Sequence, residues 1–251
     1  MGDLPFVAEQ YEAENYYTLA YQDPSAIEQE WGFRWRYILR RIVELYPGAR
    51  VLDVGAGNGY FVFLARKEFG LHADGVEISE AEIAFAREKF GVRLLKQPLS
   101  ELAGGYDVVT SFNVLEHVKE PWRLLREMAE TSAPDGVLVL TTPNPGCVHR
   151  RMKGLRRWGM VDPPHHINLF PRAALAHLLR EAEFVPVAYE TLSTYIRFVR
   201  RYDTRGLLFR RMLFRALQMF NLGADHLFIA RRVPRQGRRA AANRDADFRT
   251  V

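Results

Sequence analysis

The chain has 251 residues, of which 48% are hydrophobic and 26% charged, so it is long and apolar enough to bury a full core. This composition excludes intrinsic disorder, a collagen-like fibre and a disulfide-stapled miniprotein. The single cysteine, Cys147, cannot form an internal disulfide, and no segment approaches the ~20 apolar residues of a membrane span. We therefore expect a cytoplasmic protein whose membrane contact, if any, is peripheral.

The net charge of +5 conceals an uneven distribution. Residues 1–146 contain 14 Lys or Arg against 22 Asp or Glu, whereas residues 147–251 contain 21 against 8. Arginine, which dominates the second region, makes bidentate contacts with phosphate and carboxylate groups. The carboxyl-terminal part therefore either faces an anionic partner or reflects an arginine-rich proteome.

In chain order, the apolar positions between 24 and 46 recur at three- and four-residue spacing, which predicts a helix. Short apolar runs then alternate with helical segments, a pattern typical of an α/β fold with a doubly wound, Rossmann-like, mostly parallel sheet. The predicted strands are 50–55, 72–78, 92–96, 106–112, 136–142, 184–192 and an edge strand at 225–232, and the predicted helices include 59–69, 80–90 and 173–184.

The pattern divides the chain into three regions. An amino-terminal helical segment covers 1–46, the main domain covers 47–233, and a basic tail, predicted to be disordered, covers 234–251. The main domain contains a loop at 143–171 and a helical insertion at 205–222 before the last strand. That amphipathic insertion is predicted to be a lid over the substrate, a packing helix or a surface helix on anionic lipid.

The most informative segment is VLDVGAGNGY at 51–60, a predicted strand that runs into a glycine loop and a helix. Glycines at 55, 57 and 59 let the backbone turn sharply and approach a ligand, and the helix offers unpaired N–H groups. A dinucleotide-binding loop would place its third glycine one position later, where Tyr60 stands. The spacing therefore disfavours a pyrophosphate ligand.

Two acidic residues accompany this loop. Asp53 adds a negative charge that would repel pyrophosphate but attract an amino or sulfonium cation. Glu77 lies at the end of the second strand, twenty residues beyond Gly57, where an acid in this topology accepts hydrogen bonds from ribose hydroxyls. The alternative for Glu77 alone is a surface carboxylate.

The segments VLDVGAGNGYF, GVEIS, YDVVTSFNVLEHV, PDGVLVLTTPN and DPPHHINLF occur in this order. With them the chain resembles the class I S-adenosylmethionine-dependent methyltransferases, and most closely in pattern the subgroup of ubiquinone-biosynthesis-like and other small-molecule O-methyltransferases. The resemblance covers residues 45–190 and the strand at 225–232. It implies a seven-stranded sheet with an antiparallel last strand, and S-adenosylmethionine as the cofactor with S-adenosylhomocysteine as its product.

By position, the resemblance also implies the residues that surround the cofactor. It places Asp53 and the glycine loop at the methionine end, Glu77 on the ribose, Ile78 on the adenine, and the fourth strand's end beside the methyl group. The predicted cofactor-binding residues are Asp53, Gly55, Ala56, Gly57, Asn58, Gly59, Tyr60, Glu77, Ile78, Leu99, Phe112 and Asn113.

Methyl transfer from a sulfonium depends largely on holding the acceptor and the methyl group close and aligned. An acceptor hydroxyl with a pKa of about 10 or above also needs a base at neutral pH, and histidine suits that role. His165 and His166 follow two prolines in the loop after the fifth strand. We predict His166, or else His165, as the general base, the alternative being a structural role.

Glu116 and His117 are predicted to begin the helix after the fourth strand, as a cap and a packed side chain. Small-RNA 3′-end methyltransferases carry a Glu-x-x-Glu-His metal motif on this element, but Asn113 occupies its first position here. We therefore expect no metal, with metal binding by Glu116 and His117 as the alternative.

The loop that leads to the histidine pair is basic, and a ring of such residues would suit an anionic acceptor. His149, Arg150 and Arg151 are the predicted substrate-binding residues, with a solvated surface as the alternative. We predict a methyltransferase that acts on an oxygen of a small or lipid-linked, anionic acceptor, as a monomer or a homodimer.

Two other functions stay open. The basic carboxyl-terminal part suggests a nucleic-acid methyltransferase, although no RNA-binding module or row of interleaved aromatic residues accompanies it. A protein that binds S-adenosylmethionine without transferring the methyl group is the other alternative. The glycine loop, Glu77 and the histidine pair disfavour it.

Overall fold

The computed structural model describes residues 23–161, 165–192, 212 and 215–234. Residues 1–22 of the predicted amino-terminal segment and almost all of the predicted tail lie outside these ranges. Of the predicted insertion at 205–222, only residues 212 and 215–222 are described, and residues 212 and 215–219 among them are helical. The helices are α1 (Pro24–Leu45), α2 (Tyr60–Lys67), α3 (Glu80–Phe90), α4 (Pro121–Thr131), α5 (Val148–Lys153) and α6 (Arg172–Glu181), and the strands are β1 (Arg50–Val54), β2 (His72–Val76), β3 (Tyr106–Phe112), β4 (Ser132–Pro143), β5 (Phe184–Leu192) and β6 (Asp225–Arg232).

The amino-terminal helix α1 matches its predicted span closely. Asp23 caps it by accepting a hydrogen bond from the Ser25 backbone N–H at 2.9 Å, and Pro24 occupies the first helical position, where no N–H is needed. One face of the helix, which includes Ile27, Ile38 and Leu39, is buried. The helix therefore packs on the sheet as an integral part of the domain.

The described strands form one sheet in the order β2-β1-β3-β4-β6-β5. Strands β1 to β4 pair in parallel, whereas β6 pairs antiparallel with both β4 and β5. The expected antiparallel last strand is therefore confirmed, but its predicted edge position is wrong. Strand β6 lies between β4 and β5 and is buried along residues 225–230, as an interior position requires, and β5 forms the edge.

The described sheet has six strands, not the predicted seven. The segment 92–96 makes only an isolated parallel bridge, between Val76 and Leu95. Gly91, with a φ of 66°, ends α3 just before the segment, and Pro98, which has no N–H to donate, follows just after it. Between Gly91 and Pro98, the chain therefore forms a bridge only at Leu95 and no extended strand.

Both faces of the sheet are covered, as a doubly wound fold requires. Successive strand residues alternate between two hydrophobic clusters: Val108 lies in the cluster with α1, α2 and α3, and Val109 in the cluster with α4 and α6. The predicted mostly parallel, Rossmann-like α/β architecture is confirmed. Within the described part of the chain, no helix combines the length and apolar character that crossing a bilayer demands.

The topology brings several strand ends together at one edge of the sheet. The carboxyl ends of parallel strands β1 to β4 meet there, which is where open α/β sheets bind ligands. Because β6 is antiparallel, its first residue, Asp225, lies at the same edge, paired with Pro143 at the end of β4. Any site at this edge therefore draws on residues from both halves of the sequence.

Candidate active site at the carboxyl ends of the strands

The three glycines of the loop after β1 serve different purposes. All have positive φ, of 75° at Gly55, 50° at Gly57 and 73° at Gly59. A Cβ at Gly55 would lie 2.5 Å from the Val114 side chain, and one at Gly59 would lie 2.7 Å from Ala86. A Cβ at Gly57 would have nothing within 4 Å. Packing thus demands the first and third glycines, and only Gly57 leaves open space for a ligand.

Glu77 turns its carboxylate towards this loop. Its Oε2 accepts a hydrogen bond from the Gly57 N–H at 2.7 Å, and its Oε1 accepts from the N–H groups of Ile78 and Ser79 at 2.8 and 3.0 Å. Burial raises the pKa of Glu77, while these three N–H groups lower it. The predicted ribose-binding acid and the open position of the loop are therefore adjacent.

Asp53 is more deeply buried than its predicted role suggests. It is 2% exposed, and its Oδ1 accepts a hydrogen bond from the Thr110 hydroxyl at 2.7 Å. Burial raises the pKa of Asp53 to about 7, a change that the Thr110 bond opposes and the nearby Glu77 charge increases. The carboxyl therefore takes up or releases a proton near neutral pH.

Several other predicted cofactor residues belong to the core. Ala56, Tyr60 and Leu99 are each less than 9% exposed and pack in the two hydrophobic clusters. Asn58 is half-buried and its side-chain oxygen accepts from the Tyr60 N–H at 3.1 Å. These residues stabilise the loop by packing and by a hydrogen bond within it. Ile78 is half-buried at the start of the segment that follows β2.

The end of β3 is lined by aromatic rings from the helices. The Phe112 ring lies 4.8 Å from the rings of both Trp35 and Phe61, and Trp31 stacks on Trp35 at 5.5 Å. Helix α1 thus supplies part of the wall next to Phe112, one of the residues predicted to lie beside the methyl group.

A buried arginine that the sequence analysis missed connects α1 to three strand ends. Arg34 is 1% exposed and donates to Asp225 at 2.7 Å, to the Thr141 hydroxyl at 3.1 Å and to the Asn113 side-chain oxygen at 3.3 Å. Asn113 itself has a φ of 56°. Asn113, which is predicted to lie beside the methyl group, is therefore fixed by a hydrogen bond from Arg34. The available signal was a charged residue within the apolar face of α1.

The segment that carries His165 and His166 is hydrogen-bonded to the turn after β3. Glu116 and His117 lie in a 3₁₀ turn at Leu115–His117, and α4 begins only at Pro121, so the expectation that they begin a helix is wrong. The Glu116 carbonyl accepts hydrogen bonds from the backbone N–H groups of Ile167 and Asn168 at 2.8 and 3.0 Å. The side-chain amide of Asn168 donates to the Val118 carbonyl at 2.7 Å. Asn168 is thus a positioning residue that the sequence analysis did not identify.

These contacts bring one carboxylate and two imidazoles together. The rings of His117 and His166 lie 4.7 Å apart, and one ligand atom each from Glu116, His117 and His166 lies within 4.8 Å of the others. Glu116 is fully buried, and its Oε2 accepts from the Thr142 hydroxyl at 2.9 Å. Burial raises the pKa of Glu116 to about 8.

The two ring orientations follow from backbone carbonyls. Nδ1 of His117 lies 2.9 Å from the His165 carbonyl, and Nδ1 of His166 lies 2.9 Å from the Met160 carbonyl. Because a carbonyl only accepts hydrogen bonds, Nδ1 carries the proton in both rings. The lone pair of each neutral imidazole is therefore on Nε2. His165, the other predicted base, contributes its carbonyl to this arrangement and is half-buried.

The basic segment follows the end of β4. The Cys147 thiol is 1% exposed and caps α5 by accepting from the Arg150 N–H at 3.4 Å. The side chains of His149 and Arg151 are exposed, whereas Arg150 is half-buried. The predicted substrate-binding residues thus lie on a short helix attached to the edge where the other groups meet.

Comparison with known proteins identifies the family of the chain. A family model described as a methyltransferase domain matches residues 28–189. A ubiquinone biosynthesis O-methyltransferase from Xanthomonas campestris pv. campestris (strain B100) is 30% identical over 164 residues, which are 60% of this chain and 67% of that protein. An uncharacterized methyltransferase from Mycolicibacterium gilvum (strain PYR-GCK) is 41% identical over 97 residues, which are 36% of this chain and only 38% of that protein.

The fold is also shared with solved structures. The crystal structure of magnesium protoporphyrin IX methyltransferase from Synechocystis PCC 6803 with bound S-adenosylmethionine matches with a TM-score of 0.59 at 17% identity, covering 90% of this chain and 95% of that one. The sheet topology, the glycine loop and the family match lead to one conclusion: this chain belongs to the class I S-adenosylmethionine-dependent methyltransferases.

Proposed function

We propose that this protein transfers the methyl group of S-adenosylmethionine to an oxygen atom of a small or lipid-linked, anionic acceptor. The observation that carries the proposal is the meeting, at one edge of the sheet, of an open glycine loop beside a carboxylate and a cluster of histidines. The first group suits the cofactor, and the second suits an acceptor whose proton must be removed.

The residues of the loop fit the cofactor. The open side of Gly57 gives room for close approach, and Glu77, 2.7 Å from the Gly57 N–H, stands where ribose hydroxyls are bound in this topology. Asp53 supplies a carboxyl group that ionises near neutral pH and suits a cationic ligand. S-adenosylmethionine supplies, when bound, a methyl group already activated by its sulfonium.

The remaining task of the protein is to orient the acceptor and to accept its proton. His166 carries its Nε2 lone pair into the cluster because its Nδ1 is engaged by Met160, so we assign the general base to His166, with His165 as the second candidate. A positioned base contributes typically 10²- to 10⁴-fold to the rate. The alignment of acceptor and methyl group supplies the larger share.

The nature of the acceptor is inferred from charge and from one relative. The exposed basic helix α5 suits a phosphate or carboxylate on the acceptor. The relative at 30% identity is named for O-methylation in ubiquinone biosynthesis, which supports oxygen as the receiving atom here. A nucleic-acid acceptor is the second candidate, because Arg151, Lys153, Arg156 and Arg157 are exposed on one short segment.

The proposal is tested by calorimetric titration with S-adenosylmethionine and S-adenosylhomocysteine, followed by transfer of a labelled methyl group to phenols, hydroxy acids, lipid-linked phosphates and RNA. We expect both cofactor forms to bind and the label to reach an oxygen acceptor. Failure of the folded protein to bind either form would overturn the proposal. Transfer to RNA alone, with steep salt dependence, would favour the second candidate, and tight binding without transfer to any acceptor would favour a non-catalytic protein.

Replacing Gly57 with valine should weaken cofactor binding roughly 10- to 100-fold, because the new side chain enters the open space that the ligand would occupy, at a cost of about 1–3 kcal/mol. Gly70→Val is the matched control, since Gly70 also has a positive φ, of 64°, with nothing within 4 Å, but it precedes β2 at the opposite edge. Both variants should lose similar stability. Equal cofactor affinity in the two variants would refute the placement of the ligand.

The affinity for S-adenosylmethionine should rise by up to about tenfold between pH 6 and pH 8, because Asp53, with a pKa of about 7, changes from mostly protonated to mostly ionised and the cation prefers the ionised form. In Asp53→Asn the side-chain oxygen can still accept from Thr110, but this rise should disappear. Calorimetry at several pH values measures the difference between the two proteins, so that ionisation of the ligand's own amino group cancels. The same pH dependence in both would exclude Asp53 as its source.

His166→Asn should lower kcat by about 100-fold or more and leave the affinity for the cofactor within about twofold of the original. The shorter amide can still donate to the Met160 carbonyl, so the loop should keep its position. His177→Asn, at an exposed position of α6, serves as the control. An unchanged kcat in His166→Asn, or an equal loss of cofactor affinity, would contradict the assignment.

A further inference from the structure

The hydrogen bonds that Glu77 already makes limit what else it can bind. Its Oε1 accepts from the N–H groups of Ile78 and Ser79, and its Oε2 accepts from the Gly57 N–H. A carboxylate has about four acceptor positions, two on each oxygen, so the position that remains is on Oε2. The ribose of S-adenosylmethionine carries two neighbouring hydroxyls. Glu77 can therefore accept a hydrogen bond from one of them, and the other needs a second partner.

A second carboxyl group is buried next to this acid. Glu82, in the first turn of α3, is 6% exposed, and its Oε2 makes no hydrogen bond with any residue that the structure describes. Buried carboxyl oxygens are normally hydrogen-bonded, because burial without a partner is unfavourable. We propose that Glu82 binds one of the two ribose hydroxyls of the cofactor, while Glu77 binds the other.

The face of α3 that carries Glu82 packs against the glycine loop. Glu82 and Ala86, one turn apart, are the buried residues of this helix, and a Cβ at Gly59 would lie 2.7 Å from Ala86. Side chains in a helix point back towards its amino terminus. The Glu82 carboxyl is therefore directed towards Glu77, which precedes the helix and contacts the open position of the loop at Gly57.

Electrostatic interaction between the two carboxyl groups agrees with this placement. Burial, and to a smaller extent the charge of Glu77, raise the pKa of Glu82 to about 7. Both forms of Glu82 are thus present near neutral pH, and each suits a hydroxyl: the carboxylate accepts from it, and the protonated carboxyl can also donate to it. Glu82 can therefore bind a ribose hydroxyl without placing a second full negative charge beside Glu77.

This inference rests on the proposed function, in which Glu77 lies on the ribose of the cofactor. It adds a consequence for specificity, because the two hydroxyls are then recognised by two different residues. A site built to hydrogen-bond a hydroxyl rejects an analogue that lacks it, since its buried polar group is left unpaired. Each deoxy form of the cofactor should therefore be rejected through its own carboxyl group.

The test is calorimetric titration of the full chain with S-adenosylhomocysteine and with its 2′-deoxy and 3′-deoxy analogues. We expect Glu82→Met, which keeps the length of the side chain but not its carboxyl, to bind S-adenosylhomocysteine about 10- to 100-fold more weakly. Glu82→Gln, whose amide can still bond to a hydroxyl, should stay within about fivefold of the original protein. Glu88→Met, at an exposed position of the same helix, is the control and should bind like the original protein.

The two analogues identify the contact. In the original protein, the absence of either hydroxyl should lower the affinity about tenfold or more. In Glu82→Met, the absence of one hydroxyl should cause no further loss, whereas the absence of the other, bound by Glu77, should cost as much as before. Equal losses in the two proteins for both analogues would overturn the assignment, and so would an unchanged affinity of Glu82→Met for S-adenosylhomocysteine.

Melting temperatures without ligand separate a binding role of Glu82 from a structural one. Glu82→Met removes a buried oxygen without a partner and a charge beside Glu77, so it should melt at the same temperature as the original protein or higher while its affinity falls. A melting temperature that falls together with the affinity in both Glu82 variants would overturn the proposal.

The original protein distinguishes this inference from the proposed function. Its failure to bind S-adenosylhomocysteine would overturn both. Equal binding by the original protein and by Glu82→Met would overturn the role of Glu82 alone and leave the proposed function intact.

Discussion

The candidate active site depends on the buried ion pair between Arg34 and Asp225. The pair joins helix α1, from the start of the described chain, to the first residue of β6, near its end. Removing one partner of a buried pair leaves the other charge uncompensated, which typically costs about 3–5 kcal/mol. Because Arg34 also donates to Asn113 and Thr141, the ends of β3 and β4 are positioned by the same interaction.

Two groups of polar residues are arranged around this centre. The glycine loop and Glu77 lie at the ends of β1 and β2, and Glu116 and the histidines lie at the ends of β3 and β4. Each group is fixed mainly by hydrogen bonds to the backbone, from Gly57 to Glu77 on one side and from Asn168 to the Glu116 carbonyl on the other. The two groups are therefore held by separate backbone contacts at the same edge of the sheet.

Local signals in the sequence were sufficient for most elements and for the glycine loop. The helix predicted for 24–46 spans Pro24–Leu45, and the glycine loop lies where its pattern indicated. Contacts between distant segments were not predictable. Arg34 finds Asp225 191 residues away, and His166 reaches Glu116 through a loop whose position depends on Asn168. The charge of Arg34 within an apolar helix face indicates a buried partner, but no nearby residue identifies that partner as Asp225.

The reactivity of the single cysteine can report local opening of the segment that follows β4. Cys147 is 1% exposed, and burial raises the pKa of its thiol, so the closed protein should react slowly with thiol reagents, which attack the thiolate. Reaction therefore requires local opening around α5, and the ratio of its rate to that of an unfolded peptide measures the free energy of that opening. A ligand that binds only the closed form would slow the modification, so one natural residue reports occupancy without any introduced label.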